Sequence, residues 1–494
     1  MESRIVGIET EFGCLVHDAS VGKPEMVVEA VKDHAFYEKG LGLIDIHARN
    51  YAFEPARSGG FLLNGGRLYV DEVGSHEEYA TAECRNLFDL VAHDRAGRVI
   101  LQSVVNDLGL QGKVSFHNNS IDHFGGHTFG CHENYLVAAD DRYFRESLQY
   151  LLPFLVTRQI FAGVGRVGGH RLNRHDFKKN VMKVGEYEVD YVWVDNIYGV
   201  ELDDSVDFQL SQRADHILRT VSSRVRFNRA IINPKRDSYY DFADHQRLHL
   251  LYGEANMSEY ALALKVGTTW LVLDLVEMDA LPDSVRLADP LAALKSVSRD
   301  QTWKWPVDRL DGSSIGAIDL QRIYLDAARC ALAGRDEQTE WVLREWDATL
   351  NALEKDPMTL ADRLDWVAKR SLLDTYIAEE NTDWHDDTLH SLDLEYHNID
   401  PDAGLYYALE QDGAIRRVVS DEDVERALVS PPSDTRAAGR ARMIRALKAE
   451  GSNQYVIDWD AVYLDRNRYV ELRNPFNTYE EEAKAMEKAL GLEP

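Results

Sequence analysis

An α+β fold organised around one sheet with a charged face is the class that this 494-residue sequence predicts. Three short segments carry the prediction: Ile5-Val6-Gly7-Ile8-Glu9-Thr10-Glu11, Arg67-Leu68-Tyr69-Val70-Asp71 and Arg247-Leu248-His249-Leu250. Each sets polar residues of catalytic type two apart among aliphatic ones. Successive strand side chains point to opposite faces. Glu9 with Glu11, Arg67 with Tyr69 and Asp71, and Arg247 with His249 therefore share a face, while Val6, Ile8, Leu68, Val70, Leu248 and Leu250 enter an apolar layer. Carboxylates, a phenol, an imidazole and guanidiniums on one sheet face are the parts of a site for a divalent metal and a polyphosphate. For any single segment the solvated face of a half-buried antiparallel sheet accounts for the pattern equally well. Three together favour the site.

Strand-like segments fill much of residues 1 to 275, including Lys113 to Phe116, Tyr187 to Trp193 and the apolar run Trp270 to Leu275. They alternate with helical patterns over Leu87 to Leu108 and Ser147 to Phe161. From Ala317 onward helices dominate. Ile318, Leu320, Ile323, Tyr324, Ala327 and Ala328 recur at helical spacing, as do Trp341, Leu343, Trp346, Leu350 and Leu353, which marks helices that pack an apolar stripe. A break near Ser420, the acidic opening Asp421-Glu422-Asp423 and the stop at Pro431-Pro432 divide the chain into residues 1–420 and a small C-terminal unit, residues 421–494. Glu480-Glu481-Glu482 reads as an exposed helix start, where the dipole favours negative charge.

A content of 45% hydrophobic residues is ample for a sizeable core, and 55 Lys+Arg against 84 Asp+Glu give a formal charge of -29. That balance argues against sequence-independent nucleic-acid binding and against an anionic membrane surface, both of which need basic protein faces. Cys14, Cys84, Cys131 and Cys330 lie far apart with no Cys-x-x-Cys pair, so neither a disulfide framework nor a cysteine zinc site is expected. A reducing cytoplasm fits best. No stretch approaches the ~20 apolar residues of a membrane helix, and Met1-Glu2-Ser3-Arg4-Ile5 runs into a strand without a basic-then-apolar leader. A soluble, unexported protein is expected. His117, His123, His127 and His132 cluster near Cys131 and invite a zinc reading, which the irregular spacing and the loop-like Phe124 to Gly130 argue against. Gly163-Val164-Gly165-Arg166-Val167-Gly168 lacks the βαβ surroundings of a dinucleotide fingerprint and reads as a turn.

The most specific stretch is Asn64-Gly65-Gly66-Arg67-Leu68-Tyr69-Val70-Asp71, followed by Gly74-Ser75-His76-Glu77-Glu78-Tyr79-Ala80-Thr81-Ala82-Glu83-Cys84. Together with Gly7 to Gly13, Cys131 to Leu136, Leu210-Ser211-Gln212-Arg213-Ala214, Asn256-Met257-Ser258-Glu259 and Lys265-Val266-Gly267-Thr268, it resembles the Pup-ligase family along nearly the whole chain. That family holds two opposed activities, attachment of the small protein Pup to lysines and the deamidation and removal of Pup. The resemblance implies a glutamine-synthetase-like large domain whose curved, mainly antiparallel sheet carries the active site, and a small C-terminal domain contributing to the nucleotide site. It implies ATP and Mg2+ as cofactors. Glu9, Tyr69 and Glu78 match magnesium positions, with Glu11, His132 and His249 as further ligands; Arg67, Thr81 and Trp459 match nucleotide positions; Asp71 matches the catalytic aspartate. Without the match, Trp459 in Ile457-Asp458-Trp459 reads as a core residue. Arg213 and Arg247 are candidate phosphate or modifier contacts, with structural ion pairs as the plainer account.

Within the family, Val73 to His76 before Glu78, Cys131 before His132, Val221-Ser222-Ser223, Asn256 to Ser258 and Asp458-Trp459 with Asn474-Pro475-Phe476 resemble the ligase. Phe53 to Leu63 leaves little room for the long loop of deamidases, whereas Gly165 to Gly168 and Gly267-Thr268-Thr269 look more like them. The expected protein is an ATP-dependent carboxylate-amine ligase joining Pup or a Pup-like modifier to lysine-bearing targets, and so linked indirectly to the proteasome. A deamidase or depupylase, an inactive Pup-binding module and a small-molecule glutamate-amine ligase are the alternatives. Glu72 is an extra residue, Asn233 to His245 departs from the family pattern, and residues 169–206 resemble an insertion. Because Pup-like modifiers are acidic, a locally basic groove lined by Arg213, Lys235, Arg236 and Arg247 is expected near Asp71.

Overall fold

The computed structural model describes residues 4–49, 52–71, 76–122, 127–138, 146–174, 181–184, 187–190, 198–222, 229–234, 245–451, 454–464 and 468–492. Its centre is a 10-stranded sheet. In chain order the strands are β1 (Val6–Val16), β2 (Gly42–Arg49), β3 (Ala52–Leu62), β4 (Arg67–Asp71), β5 (His76–Ala80), β6 (Val114–His117), β7 (Cys131–Ala138), β8 (Arg219–Val221), β9 (Ala230–Asn233) and β10 (His245–Leu250). Spatially they run β8-β9-β10-β7-β1-β5-β4-β3-β2, with β6 on the second half of β1. Only β8 and β9 pair in parallel. All three charged segments of the sequence are strands of this one sheet.

Helices cover the opposite face. α1 (Pro24–Asp33), the second half of α2 (Leu87–Asp107) and the side chains Phe12, Leu68, Val70 and Tyr79 form one apolar cluster. The first half of α2, with α3 (Leu148–Thr157) and α4 (Glu259–Glu277), packs on Val6, Ile8, Tyr135, Val137, Leu248 and Leu250. α5 (Ala317–Leu332) and α6 (Glu337–Lys355) extend that core, their buried residues falling on the expected stripes.

The expected strand at Trp270 to Leu275 is instead part of α4, capped by the Ser258 hydroxyl, which accepts from the Ala261 amide. Every residue from Glu259 to Val276 is buried. A helix wrapped on all sides by core has no polar face to set a 3.6-residue period, so its apolar run resembles a buried strand. Of the expected strand at Tyr187 to Trp193, Tyr187–Asp190 pairs with Val181–Val184, and residues 191–197 lie outside the described residues. Within the apparent insertion, His170–Arg174 also pairs with Tyr198–Leu202.

At the expected break, Ser420 and Asp423 form a reciprocal capping box that opens α7 (Asp421–Val429). Its Val424 and Ala427 join the main core. A separate apolar cluster follows, built from α8 (Arg436–Glu450), the three short strands β11 (Val456–Ile457), β12 (Ala461–Tyr463) and β13 (Tyr469–Glu471), and α9 (Glu480–Ala489), and it reaches the sheet through Phe61. Glu83, just beyond β5, joins the two parts. Its Oε1 accepts from Arg436 Nε at 2.7 Å and its Oε2 from Arg440 Nη2 at 2.5 Å. Burial pushes the Glu83 carboxyl up, but the two guanidiniums outweigh it and hold it down at about 2.

A second buried ion pair anchors the sheet from behind. Glu133, fully buried between His132 and Asn134 on β7, is bridged by both terminal nitrogens of Arg158, whose Nε donates to the Tyr252 hydroxyl at 2.8 Å. Removing one partner of such a pair strands the other charge. Arg158→Met is expected to lower unfolding stability by about 3–5 kcal/mol, with Arg158→Met/Glu133→Gln recovering most of the loss in urea melts. Equal losses in the single and double variants would show that the Arg158 stem, and not its charge, holds the sheet.

Candidate active site

Cross-strand register assembles the site. β1 sets Glu9 opposite His132 on one side and Ala80 on the other, and Glu11 opposite Glu78. β4 sets Tyr69 opposite Glu78 and Asp71 opposite His76; β10 sets His249 opposite Asn134. The result is an acidic cluster rimmed by imidazoles. Ligand atoms of Glu11, Glu78 and His132 lie within 4.8 Å of one another, as do those of Glu9, His132 and His249, and those of Glu11, Asp71 and His76.

Glu9 is the best-supported anion. Burial pushes its carboxyl up, yet His132 Nδ1 at 3.1 Å from its Oε2 and the fields of His249, His132 and Arg247 hold it well below the usual range. Its Oε1 accepts from Asn134 Nδ2 at 3.0 Å, and Asn134 Oδ1 in turn accepts from Arg247 Nη1 at 2.9 Å. Glu11 is likewise lowered against burial by its contact with His76, 3.2 Å from its Oε2. Glu78 behaves oppositely. Burial and the charges of Glu11 and Glu9 push it well above the usual range, despite a hydrogen bond from the Tyr69 hydroxyl. Crowded oxygen donors that repel one another when ionised suit a hard divalent cation that takes oxygen ligands and relieves their repulsion. The residues present therefore fit magnesium.

A cleft with about 650 Å³ of empty space, its open mouth included, adjoins the acidic cluster. Glu9, Thr81, Arg247, Arg436 and Trp459 are among its lining residues. The Thr81 hydroxyl accepts from the Ile8 amide at 3.1 Å. Trp459 meets the edge of Phe61 at 5.0 Å between ring centroids, so it is both a rim residue of the C-terminal cluster and a wall of the cleft. Arg67 stacks over the Tyr69 ring at 4.5 Å and donates to Asp45 at 2.6 Å.

Nine sequence-predicted residues, Glu9, Glu11, Tyr69, Asp71, Glu78, His132, Arg247, His249 and Thr81, thus gather at one end of the charged face or its adjoining cleft, and Arg67 reaches it through Tyr69. Arg213 is placed differently. It is 6% exposed, and its Nη1 donates to the carbonyls of Leu251 and Gly253, so it braces a loop beneath the site while its charge still reaches Glu11. Lys235 and Arg236, with Glu72, lie outside the described residues, as does most of the divergent segment up to His245. Among the histidines near Cys131, His127 pairs with Asp122 on the surface and His117 with Glu395, apart from His132.

Three residues at the site carry roles that sequence reasoning left unassigned. His76 contacts Glu11, and alternation with Glu78 on β5 was the signal for it. Asn134 shares a face with His132 in the same way. Gly130 had no signal: a methyl there would stand 2.5 Å from Glu11 Oε1 and 2.7 Å from His132 Nε2.

The family model described as Pup-ligase protein matches residues 4–463. The Pup--protein ligase of Mycolicibacterium smegmatis is 34% identical over 502 residues, with 98% of this chain and 99% of that protein covered. Two solved structures are similar. The complex between Prokaryotic Ubiquitin-like Protein Pup and its ligase PafA superposes with a TM-score of 0.80 at 30% identity, covering 99% of this chain and 91% of that one. PafA in complex with ADP gives 0.73 at 32% identity, covering 87% and 89%. With the family model matched over residues 4–463 and relatives at 30–34% identity along nearly its whole length, this chain belongs to the Pup-ligase family.

Proposed function

We propose that this protein is an ATP-dependent ligase that joins the C-terminal glutamate side-chain carboxylate of Pup, or a Pup-like modifier, to lysines of target proteins. The observation that carries the reading is the convergence of the acidic cluster, Asp71 and the cleft holding Thr81 and Trp459 on one face of one sheet. The modifier carboxylate takes the γ-phosphoryl group of ATP and ADP departs. A lysine amine then displaces phosphate from the glutamyl phosphate, leaving an isopeptide bond. An amine with a pKa of about 10.4 is a poor nucleophile at neutral pH, and Asp71, opposite His76 and beside Glu11, is the base that orients and deprotonates it. Glu9, Glu11, Tyr69 and Glu78, with His132 and His249 at the rim, are the residues that would hold magnesium, which when bound neutralises charge on the transferring phosphoryl group. Thr81 and Arg67 from the large unit and Trp459 from the C-terminal unit belong to the nucleotide side. Four free thiols among the described residues support a reducing, cytoplasmic setting, and no helix among those residues is long and apolar enough to cross a membrane.

Asp71→Asn keeps the shape of the side chain but cannot accept the lysine proton. Isopeptide formation should fall by at least about a thousandfold in a conjugation assay, in line with a lost general base, while ADP affinity by calorimetry stays within about threefold. Equal loss of both would make Asp71 a structural or metal-holding residue.

Gly130→Ala tests the ligand cluster from outside it. Because the atoms nearest the added methyl are the tips of Glu11 and His132, the magnesium concentration for half-maximal activity should rise about tenfold, as for an outer-shell change, with thermal stability nearly unchanged. An unaltered magnesium titration would remove Glu11 and His132 from the metal site.

A further inference from the structure

The residues around the nucleotide cleft include a buried tier that no contact with substrate explains. Arg440 on α8 is a fully buried cation, one helical turn beyond the buried Arg436. Its two terminal nitrogens donate to both oxygens of Glu83, to the Gly65 carbonyl at 2.9 Å and to the Trp459 carbonyl at 2.9 Å. Its guanidinium carbon lies 4.9 Å from the centroid of the Trp459 ring and 5.1 Å from that of Phe61. Phe61 is 1% exposed and meets Trp459 edge-on, at an interplanar angle of 80°. Arg67 lies over the same Phe61 ring at 5.6 Å. Trp459 is thus gripped by a cation and by an aromatic edge, and held at its own backbone, while it lines the cleft.

We infer that Arg440 and Phe61, with Glu83 fixing Arg440, are positioning residues that hold the Trp459 ring as a preset platform for the base of the nucleotide. The inference rests on reading Trp459 as a nucleotide contact. An indole free to turn about its side-chain bonds would have to be ordered on binding, and that ordering weakens affinity. A planar guanidinium is suited to the task, because it stacks on aromatic faces while its fork engages a carboxylate. A lysine at the same position keeps the charge for Glu83 and loses both the stack and the fork. Phe61 touches Arg67 on the sheet and Trp459 on the C-terminal unit, so these two residues of the proposed nucleotide side are set relative to one another through a single ring.

The test is a cycle of variants on the full chain, with ADP affinity read by calorimetry and ATP dependence read by conjugation kinetics. Arg440→Lys and Phe61→Leu should each raise the ADP dissociation constant and the KM for ATP about tenfold, with kcat within about twofold. Arg440→Lys added to Trp459→Ala should weaken ADP no further than Trp459→Ala alone, since Arg440 acts through that ring. A purely structural Arg440 would lower stability and add to the effect of Trp459→Ala. Additivity, or a tenfold loss of kcat with KM unchanged, overturns the positioning role. Trp459→Ala with unchanged ADP affinity overturns the assignment of Trp459 itself, and the inference with it. Should Arg440→Lys fail to fold, Phe61→Leu in the same cycle decides alone.

Discussion

Mutual repulsion among Glu9, Glu11 and Glu78 is the constraint around which this molecule is arranged. Three carboxylates on neighbouring strands, buried enough to be poorly screened, would drive a flexible surface apart. They stay together because β1 is hydrogen-bonded to β5 on one side and to β7 on the other, so the backbone ladder fixes the spacing and the side chains have no freedom to separate. The consequences are unequal. Burial pushes all three carboxyls up; the imidazoles in contact with Glu9 and Glu11 bring those two below the usual range, whereas the charges of Glu11 and Glu9 add to burial and raise Glu78 well above it. A face strained in this way is preorganised for a cation.

That preorganisation depends on what lies behind the face. Each strand that presents a polar residue forward presents its neighbour backward, where core packing holds it. Glu133 shows this most directly: flanked by His132 and Asn134, it points into the core and is clamped by Arg158, which α3 and α4 enclose. Glu83 plays a similar part at the end of β5, where it receives two guanidiniums from α8. A shift of either anchor would move the strand as a unit, and with it the residues on the opposite side.

Alternation along β1, β4 and β10 was readable from the chain alone, because a period of two in residue polarity has one structural meaning when the intervening residues are aliphatic. The stripes of α5 and α6 and the break near Ser420 with its acidic opening were legible for the same reason: local geometry repeats, and local chemistry marks where it stops. The motif order from Gly7 to Thr268 carried the family, and with it the proposed division of the charged face into metal, nucleotide and catalytic positions.

Pairing was not legible. Nothing local says that β5 lies beside β1, that Asp71 faces His76, or that Glu11 and Glu78 are partners, since register depends on which strands meet. Burial was equally hidden. Arg213 has the sequence context of a site residue, yet its guanidinium goes to the carbonyls of Leu251 and Gly253, and α4 lost its period because core surrounds it on every side. The position of Trp459 belongs to the same class. Residue type permits it to be core or surface, and it became a rim of the C-terminal cluster and a wall of the cleft only where that cluster meets Phe61, nearly four hundred residues away in sequence. Local alternation and caps arise from neighbours in the chain; partners distant in sequence arise from packing, which no short segment encodes.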